Sequence, residues 1–596
     1  MDQQQTQWDL SVFYPNEEAF LSDIEKLKSF VPEVKKFQGK IASEEGLAGY
    51  LTLDKKFTLT YINLAFFASM RADRDRRNVE NTSDESKVEL AVQSYIAEAS
   101  YFEPELLAYG QDNVNAFFAK HPEFSEYSFS FEKLFRGQKH VLDAEKEKLL
   151  SSYAPLHGEG GNLYSLLTVA DYKPKEVTLS DGSKKEINLS NWTSLIAETK
   201  KPEDRQAIFE CLYSWYDEHK NTYGEIYNSV LQDQLAIQKS RGYESILEEH
   251  LFNNAIPTSV FHSLIDVASS EKGSAPLKKY YELRRKYLGL EKHRSYDRFL
   301  QLAKSNKKYT YEEAKDLFFA SLKDFPEDFQ NKAKEVLRPG YVDVYPSLGK
   351  RTGAYSNGGY DHHPFILLNF QGELDDVFTL AHESGHSMHT LYSEESQPTL
   401  KQDYTIFVAE IASTFNEHNL LDYLLASGTL SHEDRIALLQ KAIDEICSTF
   451  YRQTLFGHYE YEASLLAEKG EPINYQVLSS IMTRLYMQYY GIDIEEEKLK
   501  PLVWAYIPHL FYTPFYVYQY ATSFTSSMLI YEKVKAKEPE AFTSYVNLLR
   551  SGGSDFPIEQ VKKAGVDLTS KEPFEAVVSR MSELVDLLLE KELEAK

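Results

Sequence analysis

The chain has 596 residues, of which 65 are lysine or arginine and 91 are aspartate or glutamate, so its formal net charge is −26 at pH 7. So acidic a surface repels the phosphates of nucleic acids and the head groups of anionic membranes. The sequence also lacks a run of about 18 apolar residues that could span a bilayer. We therefore expect neither nucleic acid nor a membrane as a partner. The first ten residues lack the pattern of a secretory signal, and Cys211 and Cys447 cannot form a disulfide framework, so we expect a reducing, cytoplasmic location.

Most of the sequence has the apolar spacing of three and four residues that is typical of amphipathic helices. In its first part this spacing predicts helices over 16–38, 44–76, 84–120 and 142–153. Residues 175–190 differ, because Asp181-Gly182 stands between two alternating stretches, and they predict a β-hairpin. We place a domain boundary beside this hairpin, with an N-terminal helical lobe over 1–195 and a catalytic domain over 196–596.

The helical pattern resumes at Thr199 and is interrupted again over 338–370, a segment rich in Gly, Pro and Tyr. This segment ends in the apolar run Pro364–Phe370, which predicts a strand. The remaining helices are predicted over 374–394, 402–426, 433–468, 475–492, 514–550 and 572–594. The sequence therefore predicts a mainly α protein with a small β-sheet.

Residues 380–390, LAHESGHSMHT, contain the motif H-E-x-x-H at His382, Glu383 and His386. On a helix, positions i and i+4 share one face, so the two imidazoles can reach one tetrahedral Zn²⁺ ion. Glu383 is rotated beside that face, where it can accept a proton from the attacking water. A chance match with ordinary helix histidines is the alternative. The apolar context favours a metal, because burial of a carboxylate without a partner costs several kcal/mol.

A catalytic zinc site needs a third protein ligand besides the two histidines. The best candidate is Glu410, the single carboxylate in the apolar stretch Tyr404–Phe415. Small neighbours such as Ala409 and Ala412 would let this helix approach another closely. An interfacial ion pair is the alternative, but no basic residue lies within four positions of Glu410.

Other polar residues near the motif are candidates for a supporting role. Glu417 follows Glu410 by seven residues on the same helix face and could accept the second N–H of a ligating histidine. Asp376 or Asp375, roughly two turns before the motif, could do the same. His389 would lie too far along the helix to share the metal, so we expect it to be structural or to support a ligand. The metzincin pattern is absent, because position 389 is not glycine and position 392 is not histidine.

The run GKRTGAYSNGGYDHHPFILLNFQGELDDVFTLAHESGHSMHT, followed by YTIFVAEIASTFNEH, resembles the M3 family of zinc oligopeptidases, and more closely its oligoendopeptidase F branch. The likeness extends from about residue 200 to the end, through WAYIPHLFYTPFYVYQYATSF and SGGSDFPIEQVKKAGVDLTSKEPFE. It implies a two-lobed, zincin-like helical shell around a deep channel, with a small β-sheet next to the active-site helix. It also implies one zinc ion on His382, His386 and Glu410, with Glu383 as general base and acid.

The resemblance further implies which residues contact the substrate. Gly353, Ala354 and Tyr355, with the strand that follows, resemble the part of the family that pairs with the peptide backbone. The substrates would be short oligopeptides, because a narrow channel excludes folded proteins.

The segment HLFYTPFYVYQY resembles the region that stabilises the oxyanion. By this resemblance, His509 is expected to donate a hydrogen bond to the oxyanion, together with Tyr512 or Tyr516. Tyr518 is predicted to contact the substrate. Packing is the alternative for Tyr516, Tyr518 and Tyr520, and we expect it for two of these three.

We therefore predict a zinc metalloendopeptidase that hydrolyses internal bonds of short, unstructured oligopeptides. One alternative is a metallocarboxypeptidase on a similar helical shell, which would need a fixed cation for the substrate's C-terminal carboxylate. The other is a non-catalytic peptide-binding protein, which the intact Glu383 disfavours. Among the 42 tyrosines and 35 phenylalanines, the clusters at 341–360 and 512–520 flank the motif, and we expect them to wall the peptide channel. The oligomeric state stays open.

Overall fold

The computed structural model describes residues 6–153, 156–304, 307–360 and 362–593. Helices dominate these ranges. Numbered in chain order, the α-helices are α1 (Glu17–Val34), α2 (Glu44–Arg74), α3 (Val79–Glu98), α4 (Phe102–Tyr109), α5 (Gln111–Lys120), α6 (Ser128–Gly137), α7 (Ala144–Tyr153), α8 (Glu159–Ser165), α9 (Trp192–Glu198), α10 (Pro202–Glu218), α11 (Lys220–Arg241), α12 (Ile246–Phe252), α13 (Thr258–Ser269), α14 (Glu271–Tyr287), α15 (Tyr311–Ser321), α16 (Glu327–Val336), α17 (Leu374–Ser396), α18 (Ile406–Ala426), α19 (His432–Glu445), α20 (Arg452–Lys469), α21 (Tyr475–Tyr490), α22 (Val503–Tyr506), α23 (His509–Tyr512), α24 (Tyr518–Lys535), α25 (Ala541–Arg550), α26 (Pro557–Lys563) and α27 (Glu572–Leu587).

Three π-helical segments continue these helices: Leu166–Ala170 after α8, Ile446–Tyr451 between α19 and α20, and Leu588–Leu593 after α27. The strands form two small sheets. In the first, β1 (Lys175–Thr178) and β2 (Lys184–Ile187) pair antiparallel. In the second, the central strand β5 (Phe365–Leu367) is parallel to β3 (Val342–Asp343) and antiparallel to β4 (Tyr355–Asn357).

Most predicted elements are confirmed to within a few residues. The long helix predicted over 44–76 is α2, the helix predicted over 374–394 is α17, and the predicted hairpin is β1–β2 with Gly182 at φ +83° in its turn. The continuous helix predicted over 84–120 is wrong. Gly110, at φ +90°, separates α4 from α5, because a left-handed residue ends the helical hydrogen bonding. The helix predicted over 514–550 is likewise divided into α24 and α25.

Buried side chains form two hydrophobic cores that meet at the second sheet. One core is built from residues 8–135 and includes Phe365 and Leu367. The other extends from residue 164 to residue 588 and includes Ile366 and Leu368. Successive side chains of a strand point to opposite faces, so β5 contributes alternate residues to the two cores. The mainly α shell with a small sheet is therefore confirmed, while the domain boundary at 195 stays a prediction.

The N-terminal segment, residues 6–9, joins the first core to this sheet through hydrogen bonds. The indole of Trp8, which is 4% exposed, donates its Nε1–H to the carbonyl oxygen of Ile366 at 2.8 Å. The backbone N–H of Asp9 bonds to the carbonyl of Gly340 at 2.8 Å, and the N–H of Val344 bonds to the carbonyl of Thr6 at 3.0 Å. The segment thus ties the two lobes together at their boundary. No helix in the described ranges combines the length and the apolar character that crossing a bilayer requires.

Trp8→Ala should lower the free energy of unfolding by about 3–5 kcal/mol, because it empties a buried site and removes the donor to Ile366. Urea unfolding followed by circular dichroism measures this. Val79→Ala, at a side chain that is 79% exposed, is the control and should change stability by less than about 0.5 kcal/mol. Equal unfolding midpoints for Trp8→Ala and the unsubstituted chain would contradict the fastening role.

Candidate active site

Helix α17 carries the H-E-x-x-H motif, and a capping box fixes its N-terminus. The Oδ2 atom of Asp376 accepts the backbone N–H of Gln371 at 3.0 Å and that of Glu373 at 2.8 Å. The carboxylate of Asp376 thus satisfies backbone donors at the helix start, and its support of a ligating histidine stays a prediction. The neighbouring Asp375 forms an ion pair with Lys441.

Helix α18 crosses α17 at Gly385, the second variable residue of the motif. A Cβ atom on Gly385 would lie 2.5 Å from the carbonyl oxygen of Ala412 and 2.6 Å from the Cα of Ser413. Only glycine leaves room for so close an approach. The buried Asn416 holds the crossing, because its Nδ2 donates to the carbonyl oxygen of Ala381 at 3.1 Å.

This crossing brings the three predicted metal ligands together. The Nε2 atoms of His382 and His386 are 3.2 Å apart, and Oε2 of Glu410 lies 3.4 Å and 3.5 Å from them. One ligand atom from each of the three residues lies within 4.8 Å of the others. Two imidazole nitrogens and one carboxylate oxygen are the donor set of catalytic zinc sites that keep an open position.

The hydrogen bonds around these ligands suit a cation. Nδ1 of His382 lies 2.6 Å from Oε1 of Glu417, so an N–H at Nδ1 leaves Nε2 free to bind a metal. Burial raises the pKa of Glu410, but its hydrogen bonds with His382 and His386 outweigh this and hold the pKa well below its usual range. The geometry thus places Glu417 where the sequence predicts a supporting carboxylate.

Glu383 is buried beside the ligands and is 6% exposed. Within the part of the chain that the structure describes, its Oε2 atom has no hydrogen-bond partner. Burial raises the pKa of this carboxyl group. A buried carboxyl oxygen without a hydrogen-bond partner destabilises the folded protein. A role in the reaction therefore explains the position of Glu383 better than a structural role does.

His389 is a core residue, as predicted. Its ring is 1% exposed and stacks on Tyr404, with ring centroids 3.6 Å apart and an interplanar angle of 6°. Burial lowers the pKa of His389 to about 3, so it is neutral at pH 7.

A cavity of about 800 Å³ opens above the motif. Its walls come from α2, from β4 with the loop that follows, from α17, and from residues 402–410: Tyr61, Ile62, Ala65, Phe66, Ala354–Tyr360, His382, Glu383, His386, Thr390, Glu394, Gln402–Tyr404, Ile406, Ala409 and Glu410. Of the residues predicted to pair with substrate, Ala354 and Tyr355 line this cavity, and Gly353 precedes them at φ +83°. The wall from α2 was not predicted, because nothing in the local sequence of α2 indicates that it faces the motif.

The loop after β4 has an unusual backbone. Gly358, Gly359 and Tyr360 have φ angles of +104°, +125° and +69°. Ser356 Oγ lies 2.7 Å from Ser387 Oγ and so links β4 to α17. The cavity wall is thereby held in register with the motif.

The segment 509–520, which contains His509, does not contribute described residues to the walls of this cavity. The ring of His509 is parallel to Tyr516, at 6.2 Å and 10°, and perpendicular to Tyr520, at 6.4 Å and 89°. Burial raises the pKa of Tyr520 to about 12, and the charge of Glu410 contributes to that shift. Tyr520, one of the residues for which packing is the alternative, thus lies beside both His509 and Tyr516.

Two other tyrosines of this segment have different surroundings. Tyr518 is 2% exposed and packs edge-on against Phe261, and its contact with substrate stays a prediction. Its side chain is used to anchor α24 in the core. Tyr512 is 47% exposed and lies edge-on to Tyr164. The roles of His509, Tyr512 and Tyr516 stay predictions.

Glu460 supports the loop between His509 and Tyr516 and was not predicted. Its buried Oε1 accepts the backbone N–H of Phe515 at 2.8 Å. Phe515 has a φ of +54°, a conformation that costs a non-glycine residue about 1 kcal/mol or more. The buried hydrogen bond and the buried Phe515 ring together hold this turn.

A helix-borne H-E-x-x-H motif, a third carboxylate from the neighbouring helix and a cavity above them define a metallopeptidase site. The chain belongs to peptidase family M3, whose family model matches residues 195–579, and a model described as Oligopeptidase F matches residues 105–173.

Relatives match over nearly the whole chain. The oligopeptidase PepF of Bacillus subtilis is 33% identical over 581 residues, which cover 97% of this chain and 86% of that protein. The crystal structure of oligoendopeptidase-F from Enterococcus faecium has a TM-score of 0.75 and 27% identity, and the match covers 96% of this chain and 99% of that one. The structure of a Chlamydophila abortus protein has a TM-score of 0.86 and 33% identity, with 98% and 99% covered. The chain is therefore a peptidase.

Gly385→Ala should destabilise the protein by about 1–3 kcal/mol, because the added methyl group forces α17 and α18 apart. It should also reduce the zinc retained after dialysis, because the third ligand moves away from the histidines. Gly137→Ala is the matched control, since a Cβ there meets no atom within 4 Å. Unchanged stability and zinc content in Gly385→Ala would show that the crossing is not tight.

Proposed function

We propose that this peptidase is a zinc-dependent endopeptidase that hydrolyses internal bonds of short, unstructured oligopeptides. The observation that carries the proposal is the convergence of His382, His386 and Glu410 beneath an open cavity, with Glu383 buried beside them. Relatives called oligoendopeptidase F support internal cleavage of oligopeptides. One zinc ion per chain and a cytoplasmic location belong to the same proposal.

His382, His386 and Glu410 would hold the metal, and Glu417 would orient His382 through its Nδ1. Zinc bound at this site supplies Lewis acidity, which polarises a carbonyl group and lowers the pKa of water to about 7. The donor set suits zinc better than magnesium or calcium, which prefer oxygen ligands.

Glu383 performs the proton transfers. Its unpartnered Oε2 accepts a proton from the attacking water and then delivers it to the leaving nitrogen. His509 and Tyr516 or Tyr512 donate hydrogen bonds to the developing oxyanion. Tyr520 joins these donor candidates, because its ring lies edge-on to that of His509, with the centroids 6.4 Å apart.

The sheet provides a template for the substrate backbone. β4 is an edge strand, since it pairs with β5 on one side only in its sheet. Tyr355 of β4 and the preceding Ala354 line the cavity, so an extended peptide can add to this edge as a further strand. Recognition through the main chain tolerates varied side chains.

The two alternatives fit less well. A carboxypeptidase needs a fixed cation beside the metal, but the described residues that line the cavity include no lysine or arginine. A non-catalytic peptide-binding protein would not need a buried carboxylate at position 383. The endopeptidase therefore remains the function that the site supports best.

Glu383→Gln should reduce peptide cleavage by about 10²–10⁴-fold and leave the zinc content unchanged, because it removes the proton acceptor and keeps the ligands. Cleavage is followed by mass spectrometry and zinc by metal analysis. Glu395→Gln, at a 55% exposed side chain of the same helix, is the control and should keep full activity. Normal cleavage by Glu383→Gln would show that another group is the base.

A digest of C-terminally amidated peptides, with and without a chelator, tests the metal and the cleavage mode together. We expect internal cleavage products, their loss on chelation and their return when zinc is added. Products that persist after complete removal of metal would refute zinc dependence. Removal of C-terminal residues only, and only from unamidated peptides, would instead support the carboxypeptidase.

A further inference from the structure

The last turn of α2 contains a buried carboxylate, that of Asp73, which is 1% exposed. Its Oδ1 accepts a hydrogen bond from Nε of Arg76 at 2.8 Å. Its Oδ2 accepts one from the hydroxyl of Tyr355 at 2.8 Å and one from the guanidinium group of Arg351 at 3.2 Å. We call these four residues the Asp73 cluster. Burial of a carboxylate is costly, and hydrogen bonds to both of its oxygens offset that cost.

The backbone around the Asp73 cluster joins the same two segments of the chain. The N–H of Arg351 donates to the carbonyl oxygen of Asp73 at 2.8 Å, and the N–H of Arg76 donates to that of Gly349 at 2.8 Å. Gly349 has a φ of +87°, and a Cβ atom there would lie 2.1 Å from Oδ1 of Asp75. The end of α2 is therefore in close contact with the loop that leads into β4.

The Asp73 cluster connects two walls of the cavity above the motif. On α2, Ile62 and Phe66 line the cavity, and Asp73 follows Phe66 by seven residues, two turns further along the same helix face. On β4, Tyr355 both lines the cavity and donates its hydroxyl hydrogen to Asp73. The carboxylate of Asp73 therefore links the α2 wall directly to the strand with the free edge.

The ring of Tyr355 is held at several points. Burial, and then the charge of Asp73, raises the pKa of Tyr355 above its usual value, so the hydroxyl keeps its proton and donates it to the carboxylate. The guanidinium carbon of Arg351 lies 5.3 Å from the centroid of the tyrosine ring. The ring of Trp8 lies against the tyrosine ring as well, with the centroids 6.1 Å apart. The first residue of β4 is thus fixed both at its hydroxyl and at its ring.

We propose that Asp73 is a positioning residue for peptide binding, which holds the β4 edge and the α2 wall at the separation that an added peptide strand requires. This inference rests on the proposed endopeptidase function, in which the substrate backbone pairs with β4. Paired strands lie about 4.8 Å apart, so a shift of the β4 edge by about 1 Å is enough to lose their hydrogen bonds. Asp73 does not itself line the cavity and acts through Tyr355 and Arg351.

The kinetics of internal peptide cleavage by the zinc-loaded protein test this role. Asp73→Asn keeps the size of the side chain and removes its charge, and Tyr355→Phe removes only the hydroxyl that Asp73 holds. We expect KM to rise about tenfold in Asp73→Asn and about fivefold in Tyr355→Phe, because hydrogen bonds to a charged group are lost. The value of kcat should stay within about twofold, because the crossing of α17 and α18 still holds the metal ligands.

The double variant tests whether the two residues act through each other. If Asp73 positions β4 through the hydroxyl of Tyr355, the double variant should have the KM of Asp73→Asn alone, because both changes remove the same interaction. Effects that multiply, to about fiftyfold in KM, would show that the two residues act independently and would overturn the inference.

Asp297→Asn is the matched control for stability. The side chains of Asp297 and Asp73 are both 2% exposed, and Asp297 pairs with Arg205 at 2.8 Å, away from the lining of the cavity. This variant should lose stability in urea unfolding and yet keep its KM and kcat. Tyr355→Phe leaves the ion pairs of Asp73 in place, so it carries the test even if Asp73→Asn folds poorly.

Unchanged KM in both single variants, or a lower kcat at unchanged KM, would overturn this inference and leave the endopeptidase function intact. An equal rise of KM in Asp297→Asn would also overturn it, because loss of stability alone would then account for the effect. Absence of internal cleavage by the unsubstituted zinc-loaded protein would instead remove the proposed function, and this inference with it.

Discussion

The backbone of α18 passes so close to Gly385 that a Cβ there would lie 2.5 Å from the carbonyl oxygen of Ala412. This approach lets carboxylates from α18 reach histidines on α17. Glu410 meets the two Nε2 atoms, and Glu417 meets the other face of His382. A wider crossing would leave each of these groups buried without its partner, which is expensive in a protein interior. The candidate metal centre therefore depends on a backbone contact that only glycine permits.

The small sheet joins the two hydrophobic cores of the molecule. Alternate side chains of β5 belong to different cores, so the sheet lies at the boundary between the two lobes. A boundary between packed bodies is where a cavity can persist, because neither core fills it. β4 has a free edge there, and α2 of the first lobe forms another wall of the cavity. The candidate substrate site is thus a consequence of how two cores meet.

Negative charge predominates around the candidate site. The whole chain has a formal net charge of −26, and the described residues that line the cavity above the motif are acidic or neutral besides its histidines.

The sequence by itself determined the local features. The spacing of His382 and His386 fixes both imidazoles on one helix face, and the lone carboxylate in an apolar helix indicated Glu410, because both arguments act within a few turns. The same periodicity predicted most helices and failed where Gly110 ends one. Tertiary structure decided which distant groups meet: Glu410 reaches the two histidines of the motif, and Tyr518 enters the core beside Phe261. Periodicity says which face of a helix is buried, but the partner of that face is set by packing between helices, which no local pattern encodes.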